Sequence, residues 1–195
     1  MRSSFDKLIS WTGVIVAAVL LVAGGLLVWA SSFATSNVSD QLASQQITMP
    51  AAAALTTPAM KANLLQYAGQ PLTTGDQAKA YADHYIQVHM DESSDGRTYS
   101  QVSGEFMASM KADPTSQATA DLGQLRQTLF MGTTLRGMLL NAYAFGMLGT
   151  IAMWAAIAAL IGSAVMLALG LLGMRHAHSV GGIDAPAMER VPLTV

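Results

Sequence analysis

Two long stretches of this sequence contain no charged side chain, and they constrain the fold more than any other feature. The first lies between Lys7 and Asp40, and the second lies between Arg136 and Arg175. Only 11% of all residues are charged, whereas an average soluble domain has about 25%. A helix needs about 20 apolar residues to cross a hydrocarbon core about 30 Å thick. The sequence therefore predicts a mainly α protein with two transmembrane helices.

The first predicted span covers residues 11–33 and follows a short tail, residues 1–10. Its apolar part runs from Trp11 to Trp29, and indole rings at both ends are typical of a membrane interface. A cleaved signal peptide is the alternative, because small residues follow from Ala30 onward. The apolar run is longer than the usual signal-peptide core of about 7–15 residues, so we expect an uncleaved anchor.

The second uncharged stretch, residues 137–174, would reach about 57 Å as one helix, which is more than a bilayer requires. We predict a long helix whose embedded part starts near Ile151. Two spans place both termini on one side, and the basic residues of the tails favour the cytoplasm. The predicted location is the plasma membrane. Residues 34–136 would form a small, mostly helical extracytoplasmic domain, and residues 175–195 a disordered cytoplasmic tail.

The outer segment contains several helix signals. The first span is expected to continue outward as a helix over residues 31–46 and to stop before Pro50, and a short helix is predicted over residues 58–67. Thr74 begins a pattern that is typical of a helix start and is followed by apolar residues at helical spacing. Residues 98–106 are ambiguous. A last helix from about Thr115 is predicted to run into the second span.

The histidines and acidic residues do not have the spacing of a metal site. His84 and His89 are five residues apart, whereas ligands on one helix face are three or four apart. His176 and His178 follow the second span and are interpreted as polar interface residues, with metal binding as the alternative. Acidic residues 91–95 do not match the register of a calcium loop.

The sequence also lacks the residues of common catalytic motifs. It has no cysteine, no nucleophile motif and no phosphate-binding loop. We therefore predict a non-enzymatic protein without a cofactor, and a metal-dependent enzyme subunit is a lesser alternative. Ten basic and twelve acidic residues give a formal net charge of −2, which argues against nucleic acid as a partner.

Two groups of residues are candidate interaction sites. The first consists of small residues repeated at helical spacing in the second span, which would let helices approach closely in lipid. They are Ala152, Ala155, Ala156, Ala159, Gly162 and Ser163. The second consists of outer aromatic residues that either line a ligand pocket or fill a core. They are Tyr67, Tyr81, Tyr85, Tyr99 and Phe106.

Three segments resemble a group of small actinobacterial membrane proteins with two spans. They are LASQQITMP at 42–50, AKAYADHYIQVHM with GRTYSQV at 78–102, and TLFMGTTLRGMLLNAYAFGMLG at 128–149. Members of this group are often labelled automatically as subunits of aromatic ring-opening dioxygenases. Ring opening of that kind needs a histidine and carboxylate iron site, which these histidines are not spaced to form. Within the resemblance, Arg97, Tyr99 and Arg136 are recurring polar positions, which we interpret as structural anchors.

These observations lead to one main functional hypothesis. The predicted partners are the lipid bilayer and other membrane subunits or a second copy of the chain. The leading prediction is an accessory or stabilising subunit of a larger cell-envelope membrane complex. The alternative is an extracytoplasmic ligand-binding or sensory module.

Overall fold

The chain is almost entirely helical in the computed structural model, which describes the backbone of residues 2–181 and the side-chain surroundings of residues 8–176. The α-helices of this range are α1 (Arg2–Ser44), α2 (Pro58–Leu64), α3 (Gly75–Tyr81), α4 (Gln87–Ser94), α5 (Tyr99–Ala112) and α6 (Gln117–Gly181). A π-helical turn, Ala82–Ile86, joins α3 to α4. No strand occurs within residues 2–181, so the prediction of a mainly α fold is confirmed.

Helices α1 and α6 are long and apolar enough to cross a membrane, within Leu8–Ser44 and Gln117–His176. This confirms that the chain has two candidate spans. Helix α1 continues beyond its apolar part, as predicted, and ends at Ser44, two residues before the end of the predicted stretch. Gln46 has a φ of 52°, which a right-handed helix cannot include, so the chain leaves the helix before the proline.

Capping boxes fix the starts of two short helices. The Thr74 side chain accepts a hydrogen bond from the backbone of Gln77, and the Gln77 side chain accepts one from the backbone of Thr74. The predicted helix start is therefore confirmed. Thr98 and Gln101 form the same arrangement at α5, so the ambiguous stretch is the beginning of a helix.

Three other predicted boundaries differ from those of the structure. The short helix predicted over 58–67 is α-helical as far as Leu64, and its last turn, Leu65–Tyr67, is a 3-10 turn. Helix α6 begins at Gln117, because the Asp113 carboxylate holds the backbone N–H of Thr115 in a preceding turn at 3.0 Å. At the other end α6 continues to Gly181, so residues 175–181 of the predicted disordered tail are helical. Residues 182–195 lie outside the described part of the chain.

The chain divides into two compact units. The first, which we call the two-helix unit, consists of Met1–Ala30 and Ile151–Val195. The second, the multi-helix unit, is Ser31–Thr150. Residues 137–150, which were predicted to belong with the second span, are therefore part of the multi-helix unit.

Small side chains form the interior of the two-helix unit, where α1 and α6 run antiparallel. Ala17 and Ala156 are buried, and the buried Ser163 hydroxyl donates to the backbone oxygen of Ala17 at 2.7 Å. A Cβ added to Gly13 would lie 3.6 Å from the Cα of Gly170. The two backbones are thus close enough for direct side-chain to backbone bonding, which small residues permit.

Large apolar side chains form the interior of the multi-helix unit. Its core contains Val38, Leu42, Met49, Leu55, Met60, Leu64, Leu72, Ala78, Ala82 and Leu139. The loops are drawn onto this core by backbone pairing: Met49 N donates to Gln70 O at 2.8 Å, and Leu72 N donates to Ile47 O at 2.9 Å. These bonds satisfy backbone groups that would otherwise be buried without partners.

Candidate functional site

An ionic centre in the multi-helix unit joins the turn after α3 to α6. Asp83 pairs with Lys79 one helical turn earlier and accepts a hydrogen bond from Arg136 Nη2 at 2.9 Å. Arg136 Nε also donates to the backbone oxygen of Ala82 at 3.1 Å. Arg136 therefore contacts both a side chain and the backbone of the same turn, which is an anchoring geometry.

The π-helical turn explains why this backbone oxygen is available to Arg136. A π turn widens the helix by one residue and disturbs the regular hydrogen-bond ladder. The Ala82 oxygen accepts from the N–H of Gln87, five residues on, and from the Arg136 guanidinium. The turn is thus stabilised by a cation from a distant part of the sequence.

The ionic centre also perturbs the titration of its members. The hydrogen bond from Lys79 lowers the pKa of the Asp83 carboxyl, and the bond from Arg136 acts in the same direction against partial desolvation. The hydrogen bond to Asp83 raises the pKa of Lys79. Lys79 and Asp83 therefore stabilise each other's charged form, and the centre holds one carboxylate between two cations.

The predicted aromatic group is divided between two places. Tyr81 and Tyr85 stack at 5.0 Å, and both pack against the core together with Tyr67. Partial burial raises the pKa of the Tyr81 hydroxyl. Tyr99 instead contacts Phe130 at 5.8 Å, and Phe106 lies against Gly123 of α6. These five rings do not line one common pocket.

The polar residues that the sequence suggests as ligands or as structural anchors have defined contacts in the fold. His89 Nδ1 lies 2.7 Å from the backbone oxygen of Tyr85, and the two rings are in contact at 4.3 Å. Arg97 pairs with Glu105 at 2.6 Å and donates to the Ser94 oxygen at 2.8 Å. Among residues 8–176 no group of three or more His, Asp or Glu side chains could hold a metal ion. The side chain of His178 lies outside that range.

The predicted small-residue face is mostly the contact face of the two-helix unit. Ala156 and Ser163 are buried against α1, and Ala152 and Ala159 are half-buried. A Cβ added to Gly162 would lie 3.5 Å from the Leu20 side chain. Ala155 lies on the exposed side of α6. The face continues at alternating spacings of three and four residues through Met166, Gly170 and Gly173.

An exposed stripe on α6 was not recognised in the sequence. We call it the α6 outer stripe, and it lies within the multi-helix unit. Its members alternate in spacing by three and four residues and are all exposed: Met131, Thr134, Met138, Asn141, Phe145 and Leu148. Six residues at this spacing cover about 26 Å of one helix face. The same spacing forms the seam between helices in a coiled coil.

The spacing of the stripe is visible in the sequence, but its exposure is not. The sequence places the embedded part of the uncharged stretch 137–174 from about Ile151, and the fold shows which face of residues 137–150 stays exposed in the multi-helix unit. No protein-family model, no curated protein and no solved structure matches this chain.

Proposed function

We propose that this chain is a non-enzymatic membrane protein with two spans, which serves as an accessory or stabilising subunit of a larger cell-envelope complex. In this proposal the parts of α1 and α6 that belong to the two-helix unit cross the plasma membrane. Both termini are cytoplasmic, and the multi-helix unit is extracytoplasmic.

The surface of the two-helix unit supports its insertion in lipid. Trp11 and Trp29 are exposed and are separated by about 27 Å of α1, close to the thickness of a hydrocarbon core. Trp154 is also exposed and is separated from Arg175 by about 32 Å of α6. Tryptophan and arginine favour the membrane interface, so both helices have spans of matching length.

The α6 outer stripe is the observation that carries the proposed role. Monomeric soluble surfaces rarely keep a long contiguous apolar face in water, and such faces mark interaction sites. Met138 is 66% exposed, and methionine adapts to partners of varied shape. Gly137 has open space around it, which would allow a neighbouring helix to approach. The stripe contains no charged residue, so the partner surface needs no charged residue to pair with it.

We infer that the occupant of the stripe is an uncharged, heptad-spaced helix of a different membrane protein. Thr134 and Asn141 would meet polar groups of that helix, and a polar residue in such a seam selects one register at some cost in affinity. A second copy of this chain is the competing occupant. The two are distinguished by the mass of the cross-linked product.

The absence of cysteine from the whole sequence makes single-cysteine cross-linking specific. Met138→Cys and Met107→Cys place thiols at similarly exposed sites, the second on α5 and away from the stripe. In native membranes, benzophenone maleimide attached to the Met138→Cys thiol should on illumination join that protein to one identified membrane protein through a C–H bond of the partner, and the same label on Met107→Cys should join to none. A product of twice the mass of the chain, or no product, would contradict the proposed role.

A charge placed in the stripe provides the second test. Met138→Glu should release the chain from its complex on blue native gels, because a buried unpaired carboxylate is costly at an interface. Met107→Glu should leave the complex intact. An unchanged gel position for Met138→Glu would show that the stripe is not the contact surface.

The orientation is tested by labelling intact cells with a membrane-impermeant maleimide. Met107→Cys should be labelled without permeabilisation, and Ser3→Cys should be labelled only after it. The reverse pattern would contradict the proposed orientation and leave the two-span arrangement unchanged.

A further inference from the structure

A cavity of about 290 Å³ in the multi-helix unit has a wall rich in hydroxyl groups. It lies between α1, the segment that leads into α3, and α6. The residues that contribute hydroxyls are Thr35, Ser39, Thr73, Thr74, Tyr143 and Thr150. This volume is near the lower limit of small-molecule sites and suits one compact polar group.

The wall offers both donors and acceptors. Thr74 Oγ1 accepts from the backbone N–H of Gln77 at 3.2 Å, so its own O–H can donate outward. Thr150 Oγ1 donates to the Gly146 oxygen at 3.1 Å, so its lone pairs can accept. The Asp76 carboxylate adds a strong acceptor. A donor and two acceptors in one wall match the hydroxyl groups of a sugar or polyol.

The charge of the wall selects against anions. Asp76 is the one charged residue among those that line the cavity, and it would repel a phosphate. Lys79 Nζ lies 5.6 Å from the centre of the Tyr143 ring, but its charge is paired with Asp83. The Tyr143 ring and Met147 supply apolar surface, which suits the C–H face of a sugar ring.

Close backbone contact holds one side of the cavity in place. A Cβ added to Gly75 would lie 3.1 Å from the Cα of Tyr143 and 3.3 Å from the Ala142 oxygen. Because both neighbours are backbone atoms of α6, only glycine fits here without displacement. The cavity wall is therefore part of a packed crossing, and its shape is preformed.

The position of the lining residues along α1 and α6 suggests the source of the ligand. Thr35 follows Trp29 by about 9 Å of helix, and Thr150 precedes Trp154 by about 6 Å. The polar layer of a bilayer extends about 5–7 Å beyond each side of the hydrocarbon core. If the tryptophans mark the edges of the hydrocarbon core, as in the proposed function, Thr150 falls within this polar layer and Thr35 lies just beyond it.

We propose that this cavity binds a neutral polyhydroxylated group, namely the sugar or polyol head group of an outer-leaflet lipid or the same group as a free saccharide. The proposal rests on the membrane insertion proposed above only for its lipid-linked form. The chemistry of the wall is the same for both sources.

The test uses the full chain in nanodiscs of phosphatidylcholine that contain monoglucosyl-diacylglycerol. Native mass spectrometry should find the glycolipid enriched over phosphatidylcholine on the released protein. If methyl glucoside displaces the glycolipid, the sugar head group alone is sufficient for binding. If the glycolipid stays bound in the presence of methyl glucoside, the site requires the lipid-linked form. Equal binding of the two lipids, together with no binding of methyl glucoside, would overturn the proposal.

Three variants assign the binding to this cavity. Asp76→Asn should weaken glycolipid binding about tenfold, because a charge-assisted hydrogen bond is lost. Thr150→Val should weaken it about fivefold. Thr128→Val is the matched control, because Thr128 also donates to the backbone oxygen four residues earlier at 3.1 Å but lies outside the cavity. Binding that survives both cavity variants would overturn the assignment.

Loss of fold and failure of membrane insertion are recognised separately. Glycolipid binding is compared only among variants whose circular dichroism shows the helical content of the parent protein. A chain that does not stay in nanodiscs would contradict the proposed function, and methyl glucoside binding measured by saturation-transfer NMR would then test the cavity by itself.

Discussion

The two units of this chain bury opposite kinds of side chain. The interior of the two-helix unit consists of small residues such as Ala17, Ala156 and Ser163, while bulky residues such as Leu26 and Ile161 face outward. The interior of the multi-helix unit consists of large residues such as Met60 and Leu64. One helix, α6, contributes to both arrangements.

The contrast is the one that the proposed membrane insertion predicts. In water, burial of large apolar side chains drives folding at about 25 cal/mol per Å². In lipid this driving force is absent between helices, so close packing of small residues and interhelical hydrogen bonds hold them together. The α6 outer stripe departs from the rule for water, since large apolar residues such as Met138 and Phe145 stay exposed along it.

The aromatic residues allow the two units to be observed separately. All three tryptophans, Trp11, Trp29 and Trp154, belong to the two-helix unit, and all five tyrosines belong to the multi-helix unit. Tryptophan fluorescence and tyrosine absorbance therefore report the unfolding of different parts of one protein.

The largest expected effect concerns the large-residue core. Leu64→Ala should lower the free energy of unfolding of the multi-helix unit by about 2–5 kcal/mol, because it leaves a cavity at a fully buried site. Leu26→Ala, at an exposed site of the two-helix unit, should have little effect in lipid. Denaturation followed by tyrosine absorbance for Leu64→Ala and by tryptophan fluorescence for Leu26→Ala checks this, and equal losses for both variants would remove the contrast between the units.

The next effect concerns the close approach in the two-helix unit. A Cβ on Gly170 would lie 3.1 Å from the Ser10 oxygen and 2.9 Å from Val14 Cγ2, whereas Gly25 has nothing within 4 Å. Gly170→Val should destabilise the helix pair by about 1–3 kcal/mol, and Gly25→Val should be nearly neutral. Tryptophan fluorescence during thermal unfolding measures both, and similar behaviour of the two variants would show that the helices do not pack closely.

The ionic centre should contribute a smaller, pH-dependent amount. Because the folded pKa of Asp83 is lowered, its contribution is complete above the unfolded value of about 3.9 and is lost as the pH falls through the folded pKa. Because the pKa of Lys79 is raised, its contribution is complete below about 10.4 and is lost at higher pH.

Asp83→Asn should therefore cost about 1 kcal/mol or less between these limits, given that both charges are partly solvated. The difference between variant and parent should vanish in strong acid. Tyrosine-monitored unfolding across the pH range measures it. A difference that persists unchanged at acidic pH would show that the carboxylate is not the stabilising form.

The smallest effect concerns the hydrogen bond between the two helices. Ser163→Ala removes the bond to the Ala17 oxygen while keeping a small side chain at the contact. The expected loss is about 0.6 kcal/mol, the average for such bonds in membranes. A loss similar to that of Gly170→Val would mean that polar bonding and not close approach dominates the contact.

Much of the fold follows from local sequence patterns. Charge-free stretches predict the two candidate spans, and the Thr74 cap predicts α3, because both signals act over adjacent residues. The end of α1 is predicted two residues late, because Pro50 is a visible helix breaker whereas the positive φ of Gln46 has no local signal in the sequence.

The candidate sites were less accessible to sequence reasoning. Asp83 and Arg136 are far apart in the chain, and no local pattern links them, although the pairing of Lys79 with Asp83 has the usual spacing of four. The hydroxyl cavity combines residues from three segments. The small-residue face was predicted from its spacing, but only the fold shows that Ala155 is turned away from α1.

The claim that lipid surrounds the two-helix unit and water surrounds the multi-helix unit is tested most directly with two spin labels. Val19 is 62% exposed and Met107 is 61% exposed, so cysteine at either site carries a label on the protein surface in one unit or the other. In liposomes the Val19→Cys label should collide with oxygen and not with a water-soluble nickel complex, and the Met107→Cys label should show the opposite preference. Equal access of the nickel complex to both labels would contradict the account.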